Sequence, residues 1–141
     1  VYKRQSRILD FHTRHKFLLL AHSETHYRAL GRLLADAGRR DPDELGREYI
    51  LGFMTGMKRP ANAKRHANVL QHLQGYLKRD LDAGDKAELV DVIDRYRLNE
   101  VPLVVPLQLL KHHFRRNPDP YVEFQHYITP HPEELGLRNS V

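Results

Sequence analysis

Ten histidines in 141 residues raise metal chemistry first. His22 and His26 stand four apart in the run HSETH. A zinc-hydrolase helix needs H-E-x-x-H, with Glu directly after the first His, and here Ser23 follows it. Ser23 also suits the N-cap of a new helix, so the two rings need not share a face. His66 and His72, six apart, do not align on a helix, and the adjacent His112 and His113 point in different directions. The sequence therefore predicts no metal site and no cofactor in this chain. Histidines that hydrogen-bond their neighbours are the expected arrangement. The chain has no cysteine, which excludes disulfides, thiolate metal sites, iron–sulfur clusters and cysteine nucleophiles.

Nucleophilic catalysis is the next chemistry to weigh. Ser23, with His22 or His26 and a carboxylate such as Glu24, has the residue types of a triad. No nucleophile elbow surrounds Ser23, and capping already accounts for it. Asp41, Asp43 and Glu44 offer paired carboxylates, which a helix start also explains. No G-x-x-x-x-G-K or G-x-G-x-x-G loop is present to cradle phosphate. The residues favour binding over catalysis by this chain alone. The alternatives are a small enzyme that uses His22, His26, His66 and His72 for acid–base work, and a protein-interaction domain that only scaffolds its neighbour.

Charge gives a more definite signal. The formal net charge is +5 and the pI about 9.6, a moderate excess that favours polyanions. Residues 49–79 hold six Lys/Arg and no Asp or Glu. Within that run, residues 61–79 read as one helix of about five turns, around which the fold is expected to be organised. His66, Val69, Leu70, Leu73 and Leu77 form its buried stripe. Lys64, Arg65, Asn68, Gln71, His72, Gly75, Lys78 and Arg79 fall on the other side. Soluble helices usually mix both signs, because i,i+4 pairs help them. The one-signed face suits phosphate. Residues 11–23 and 101–118 are also free of acids. They place Arg14, Lys111 and Arg115 as flanking phosphate contacts. Tyr27, Tyr76 and Tyr121 are able to stack on unpaired bases, although core packing is the commoner use of a tyrosine.

The elements that carry these residues follow from caps and periodicity. Residues 9–21 read as a helix capped by Asp10, with Phe11, His15 and Leu18 inward. Ser23 opens a helix over 24–37, and Gly38 would end it in the left-handed conformation. Asp41, Pro42 and Glu44 mark the start of a third helix to about Met57. It should bury Leu45, Tyr49, Ile50, Phe53 and Met57. Asp85 and Glu88 open another over 85–98, with Leu89, Val90, Ile93 and Tyr96 inward. Residues 80–100 carry seven acids, which marks this helix as distant from an anionic partner. Two prolines argue against a strand at 101–110, so a helix over about 103–116 is expected. Asp119 and Pro120 cap a short helix over 121–128, and the tail from 129 lies as an irregular strap. The prediction is an all-α single compact domain of six or seven helices. No stretch is long and apolar enough to span a membrane, and a cytoplasmic location is expected.

Four segments carry a resemblance: LLLAHSETHYRALGRLLADAG, KRHANVLQHLQGYLKRDL, YRLNEVPLVVPLQLLKHHFRRNPDPY and PHPEELGLRN. Their order and wording resemble the YbgA-like domain of unknown function, over residues 9–139. Residues 1–8 would then be an N-terminal extension or the remnant of a longer chain. That family's domain stands alone or follows a thiouracil-desulfidase-like domain with an iron–sulfur cluster. The two-domain proteins are associated with removing sulfur from 4-thiouridine in tRNA. The resemblance implies an accessory domain that binds tRNA or other structured RNA, with any cluster held by the fused or partner desulfidase domain. Motif positions in this chain are His22, His26, Tyr27, Arg65, His66, Asn68, His72, Lys111 and the corner at Asp119, Pro120 and Tyr121.

Overall fold

The computed structural model describes residues 2–128, with side chains from Gln5 onward. Seven α-helices and one short 3-10 turn, with no strand, make up the described residues. The tail from residue 129 lies outside them.

Helix α1 (Tyr2–His22) is about 31 Å long at 1.5 Å per residue. It begins well before Asp10, because nothing in residues 2–9 breaks a helix and Ile8 packs against the core. Asp10 is therefore no cap. Its carboxylate sits 3.4 Å from Arg14, one turn on. Phe11 is exposed rather than inward.

Helix α2 (Glu24–Ala35) starts where Ser23 predicts, with the Ser23 hydroxyl accepting from the His26 N–H at 3.2 Å. It stops two residues early, and Gly38 lies inside the 3-10 turn Ala37–Arg39 without a positive φ. Helix α3 (Pro42–Met57) has the expected Asp41 cap, which accepts from Glu44 N–H at 3.1 Å. Ile50 is not buried. Two glycines one turn apart on α3 set its distance from its neighbours. A Cβ at Gly56 would stand 2.8 Å from the His26 Cβ and 2.7 Å from a Leu19 methyl, and one at Gly52 would stand 2.7 Å from a Leu30 methyl.

Helix α4 (Ala63–Gly75) is shorter than expected at both ends. Asn62 caps it by accepting from the Arg65 N–H at 2.9 Å. Beyond Gly75 the chain tightens into i→i−3 bonds, Leu77 to Gln74 and Lys78 to Gly75 among them. Lys78 and Arg79 thus leave the helix. The stripe of His66, Val69, Leu70, Leu73 and Leu77 is buried as predicted.

Helix α5 (Ala83–Arg97) is capped by Asp82, not Asp85, and Gly84 falls in its first turn. Val90 faces out. Its end is a Schellman turn: Asn99 has φ 63, with Glu100 N–H bonding Arg95 C=O at 2.8 Å and Asn99 N–H bonding Tyr96 C=O at 2.9 Å. Helix α6 (Val104–Arg116) carries Pro106 in its first turn, where a missing N–H does no harm. Helix α7 (Pro120–Glu123) has the expected Asp119 cap but only one turn.

Two apolar clusters meet on α1. Phe17, Leu20 and Ala21 join Leu70, Leu73, Leu89, Ile93, Leu107 and Leu110 of α4, α5 and α6. Leu19 joins Leu30, Leu45 and Tyr49 of α2 and α3. The organising element is therefore α1, which serves both clusters, rather than α4, which serves one.

Candidate nucleic-acid interface

The end of α1, the start of α2 and the outer face of α4 enclose a cleft of about 670 Å³. Leu20 and Ala67 supply apolar floor, while Lys64, Arg65, Asn68 and Gln71 line its wall. These four are residues that the sequence pointed to. Among the described residues, Arg59 and Arg97 complete a set of four cations, and Glu24 is the only acid lining the cleft. Glu24 is turned to Arg28, at 2.8 Å. Among the described residues, no carboxylate lies within 4.0 Å of Arg59 or Lys64. Arg65 donates to Pro60 C=O at 2.7 Å, and Arg97 lies 3.6 Å from Asp94.

The backbone adds to this potential. Ser23, Glu24 and Thr25 bring the first turn of α2 to the cleft, and Asn62, Lys64 and Arg65 bring that of α4. Each helix start carries N–H groups without intrahelical partners and the positive end of the helix dipole. The caps occupy only one such N–H each, that of His26 and that of Arg65. The cleft is thus cationic by side chain and by backbone.

Its rim is held by histidines. His22 Nδ1 lies 2.7 Å from Arg59 C=O, fixing the turn after α3 against α1. His26 Nδ1 lies 2.7 Å from the Ser23 hydroxyl, which is itself buried. Ser23 therefore closes the α2 start, and Glu24, the third member of the imagined triad, is engaged elsewhere. His66 turns inward onto Tyr127, while His72 is exposed on the opposite side of α4. The four histidines do not share one cleft.

Beyond the cleft, α4 continues with aromatic residues. His72 lies 6.4 Å from Tyr27 and 6.2 Å from buried Phe17 by ring centroids. Tyr76 stacks on Tyr121 at 5.7 Å, and Lys16 Nζ stands 4.6 Å over the Tyr121 ring. Burial, then the nearby Tyr121, Tyr27 and Asp119, pushes the Tyr76 hydroxyl up to about 12. It stays protonated and a donor at neutral pH.

The remaining predicted residues lie elsewhere. Lys111 and Arg115 line a separate groove of about 500 Å³ with Phe114 and Val122. Lys78 borders a shallow apolar groove with Leu81 and Val90, and Arg79 is exposed without lining either cleft. Arg14 is exposed, 5.8 Å over Phe124 and paired with Asp10. The acid-free segments 11–23 and 49–79 meet at the cleft and the aromatic row, whereas Lys111 and Arg115 of the third face another groove. Arg59 was legible as part of the acid-free run. Arg97 was hidden, because it sits in the acidic stretch judged distant from a partner.

Residues 16–132 match the family described as a protein of unknown function (DUF1722). The chain is 37% identical over 134 residues to the uncharacterized protein YbgA of Escherichia coli (strain K12), covering 94% of this chain and 79% of that protein. No solved structure matches.

Proposed function

Since the chain belongs to the DUF1722 family, whose description carries no activity, we propose its function from its surface: an RNA-binding domain that grips phosphates in the cleft beside α4. The observation that carries this is the convergence of Arg59, Lys64, Arg65 and Arg97 on two helix starts. Phosphate oxygens suit such a site, because both N–H groups and guanidinium forks point at them. Asn68 and Gln71 stand beside the cations and offer amide donors and acceptors to a base edge or a ribose hydroxyl.

Transfer RNA is the expected RNA, and an accessory role beside a thiouracil-desulfidase-like domain is the expected setting. Both come from the family resemblance. Sulfur removal and any iron–sulfur cluster would belong to that other domain. The domain itself carries recognition rather than turnover.

Filter retention of tRNA at several salt concentrations tests this reading. Affinity should fall steeply as salt rises, because each phosphate contact releases counterions. No retention at low salt would remove RNA from consideration. A protein-docking role would then gain weight, and it has its own observation: Ile50, Leu51 and Met54 form an apolar strip on α3 with exposures of 64%, 70% and 55%.

A further inference from the structure

We propose that His72, Tyr76 and Tyr121, with Lys16 beside them, form a stacking surface for unpaired nucleobases, so that the preferred ligand is a single-stranded RNA segment rather than a duplex. This inference rests on the RNA-binding reading and names the class of RNA.

The geometry is a continuation of the cleft. Arg65, Asn68 and His72 recur at three- and four-residue spacing, so they share one face of α4, and Tyr76, its C-cap, follows four residues on. From Arg65 to Tyr76 that face runs on the order of 16 Å. Cations occupy one end and aromatic rings the other. Phe17, buried at 2%, packs behind both His72 and Tyr76 and seats the two rings against the core. Tyr76 keeps 37% exposure although it stacks on Tyr121. Lys16 Nζ, 4.6 Å over the Tyr121 ring, adds a positive charge to this aromatic row. A duplex hides its base faces within its own stack, whereas an unpaired base offers a face to an aromatic ring.

The test compares a short unstructured RNA with the blunt duplex formed by adding its complement. Tyr76→Leu should weaken binding of the single strand roughly tenfold, the scale of one stacked base. Binding of the duplex, and the salt slope for both RNAs, should stay as in the wild type. Tyr76→Phe, which keeps the ring, should restore single-strand affinity. A 2-aminopurine placed in the single strand should lose fluorescence on binding the wild type and less on binding Tyr76→Leu. Thermal melts accompany each variant. Should Tyr76→Leu unfold, His72→Ala, a change at an exposed side chain, replaces it with the same expectation. A folded variant that binds the single strand as tightly as the wild type overturns the proposal and leaves phosphate binding in the cleft intact. Absence of any salt-dependent RNA binding by the wild type overturns both.

Discussion

His66 Nδ1 lies 2.6 Å from the hydroxyl of Tyr127, 61 residues later in the chain, and both side chains are buried. The contact ties the start of α4 to the segment after α7, and so fixes the back of the helix whose front lines the cleft. Tyr127→Phe keeps the ring and its packing but removes this partner from a buried polar atom. Stability should fall by about 1–3 kcal/mol. Chemical denaturation of the two proteins checks this, and an unchanged midpoint would show that the bond is dispensable.

His12 should make stability depend on pH. Its Nδ1 lies 3.0 Å from the Tyr49 hydroxyl. Burial first, then the charge of Lys16, lowers its pKa from 6.5 to about 4. Burial raises the Tyr49 hydroxyl, so Tyr49 keeps its proton beside the neutral ring. Between the two His12 values the unfolded chain binds more protons than the folded one. The His12 contribution is therefore fully present above pH 6.5 and is lost as pH falls toward about 4. Solvent around the partly exposed ring reduces its size. Melting temperatures across this window should fall less in His12→Gln than in the wild type. Parallel curves would refute the assignment.

Gly56→Ala should destabilise the domain by about 1–3 kcal/mol. The new methyl meets the His26 Cβ at 2.8 Å, and a Cβ moves only with its backbone. Gly52→Ala should cost less, because it meets a Leu30 methyl that is able to rotate away. Equal melts for the two variants would contradict this difference.

The cleft predicts a ranking among cations. Lys64→Ala with Arg65→Ala should flatten the salt dependence of RNA binding, by about one unit of slope for each phosphate no longer neutralised. Arg97→Ala should act in the same direction, and its exposed pairing with Asp94 means stability should change by no more than about 0.5 kcal/mol. Lys78→Ala with Arg79→Ala should leave the slope nearer to the wild type, since neither lines the cleft. A larger effect from the Lys78 and Arg79 pair would move the binding surface to the turns after α4.

Asn99 forms the turn that ends α5, two residues after Arg97. Asn99→Val should cost about 1–2 kcal/mol, because a β-branched side chain is strained at a positive φ. Asn99→Gly should be neutral or slightly stabilising. Equal stability of both variants would mean that the turn is free to rearrange.

What the sequence determined by itself is chemistry settled within a few residues. Ser23, Asp41 and Asp119 cap the helices they were expected to cap, because each bonds an N–H two or three positions ahead. The buried stripe of α4 was legible for the same reason: 3.6-residue periodicity is a local property. The acid-free run also named Lys64, Arg65, Asn68 and Gln71 as neighbours on one face. Tertiary structure decided the rest. Whether α1 began at Asp10 or before it depended on Ile8 finding a core neighbour. Ile50 and Val90 match their helical stripes but face out, since a stripe is buried only as widely as the neighbouring helices cover it. Arg97 reaches the cleft from an acidic segment, while Lys111 and Arg115 line a different groove. Local charge counts could not give those positions, because convergence of side chains from separate helices is fixed by how α1 packs against α2, α4 and their partners.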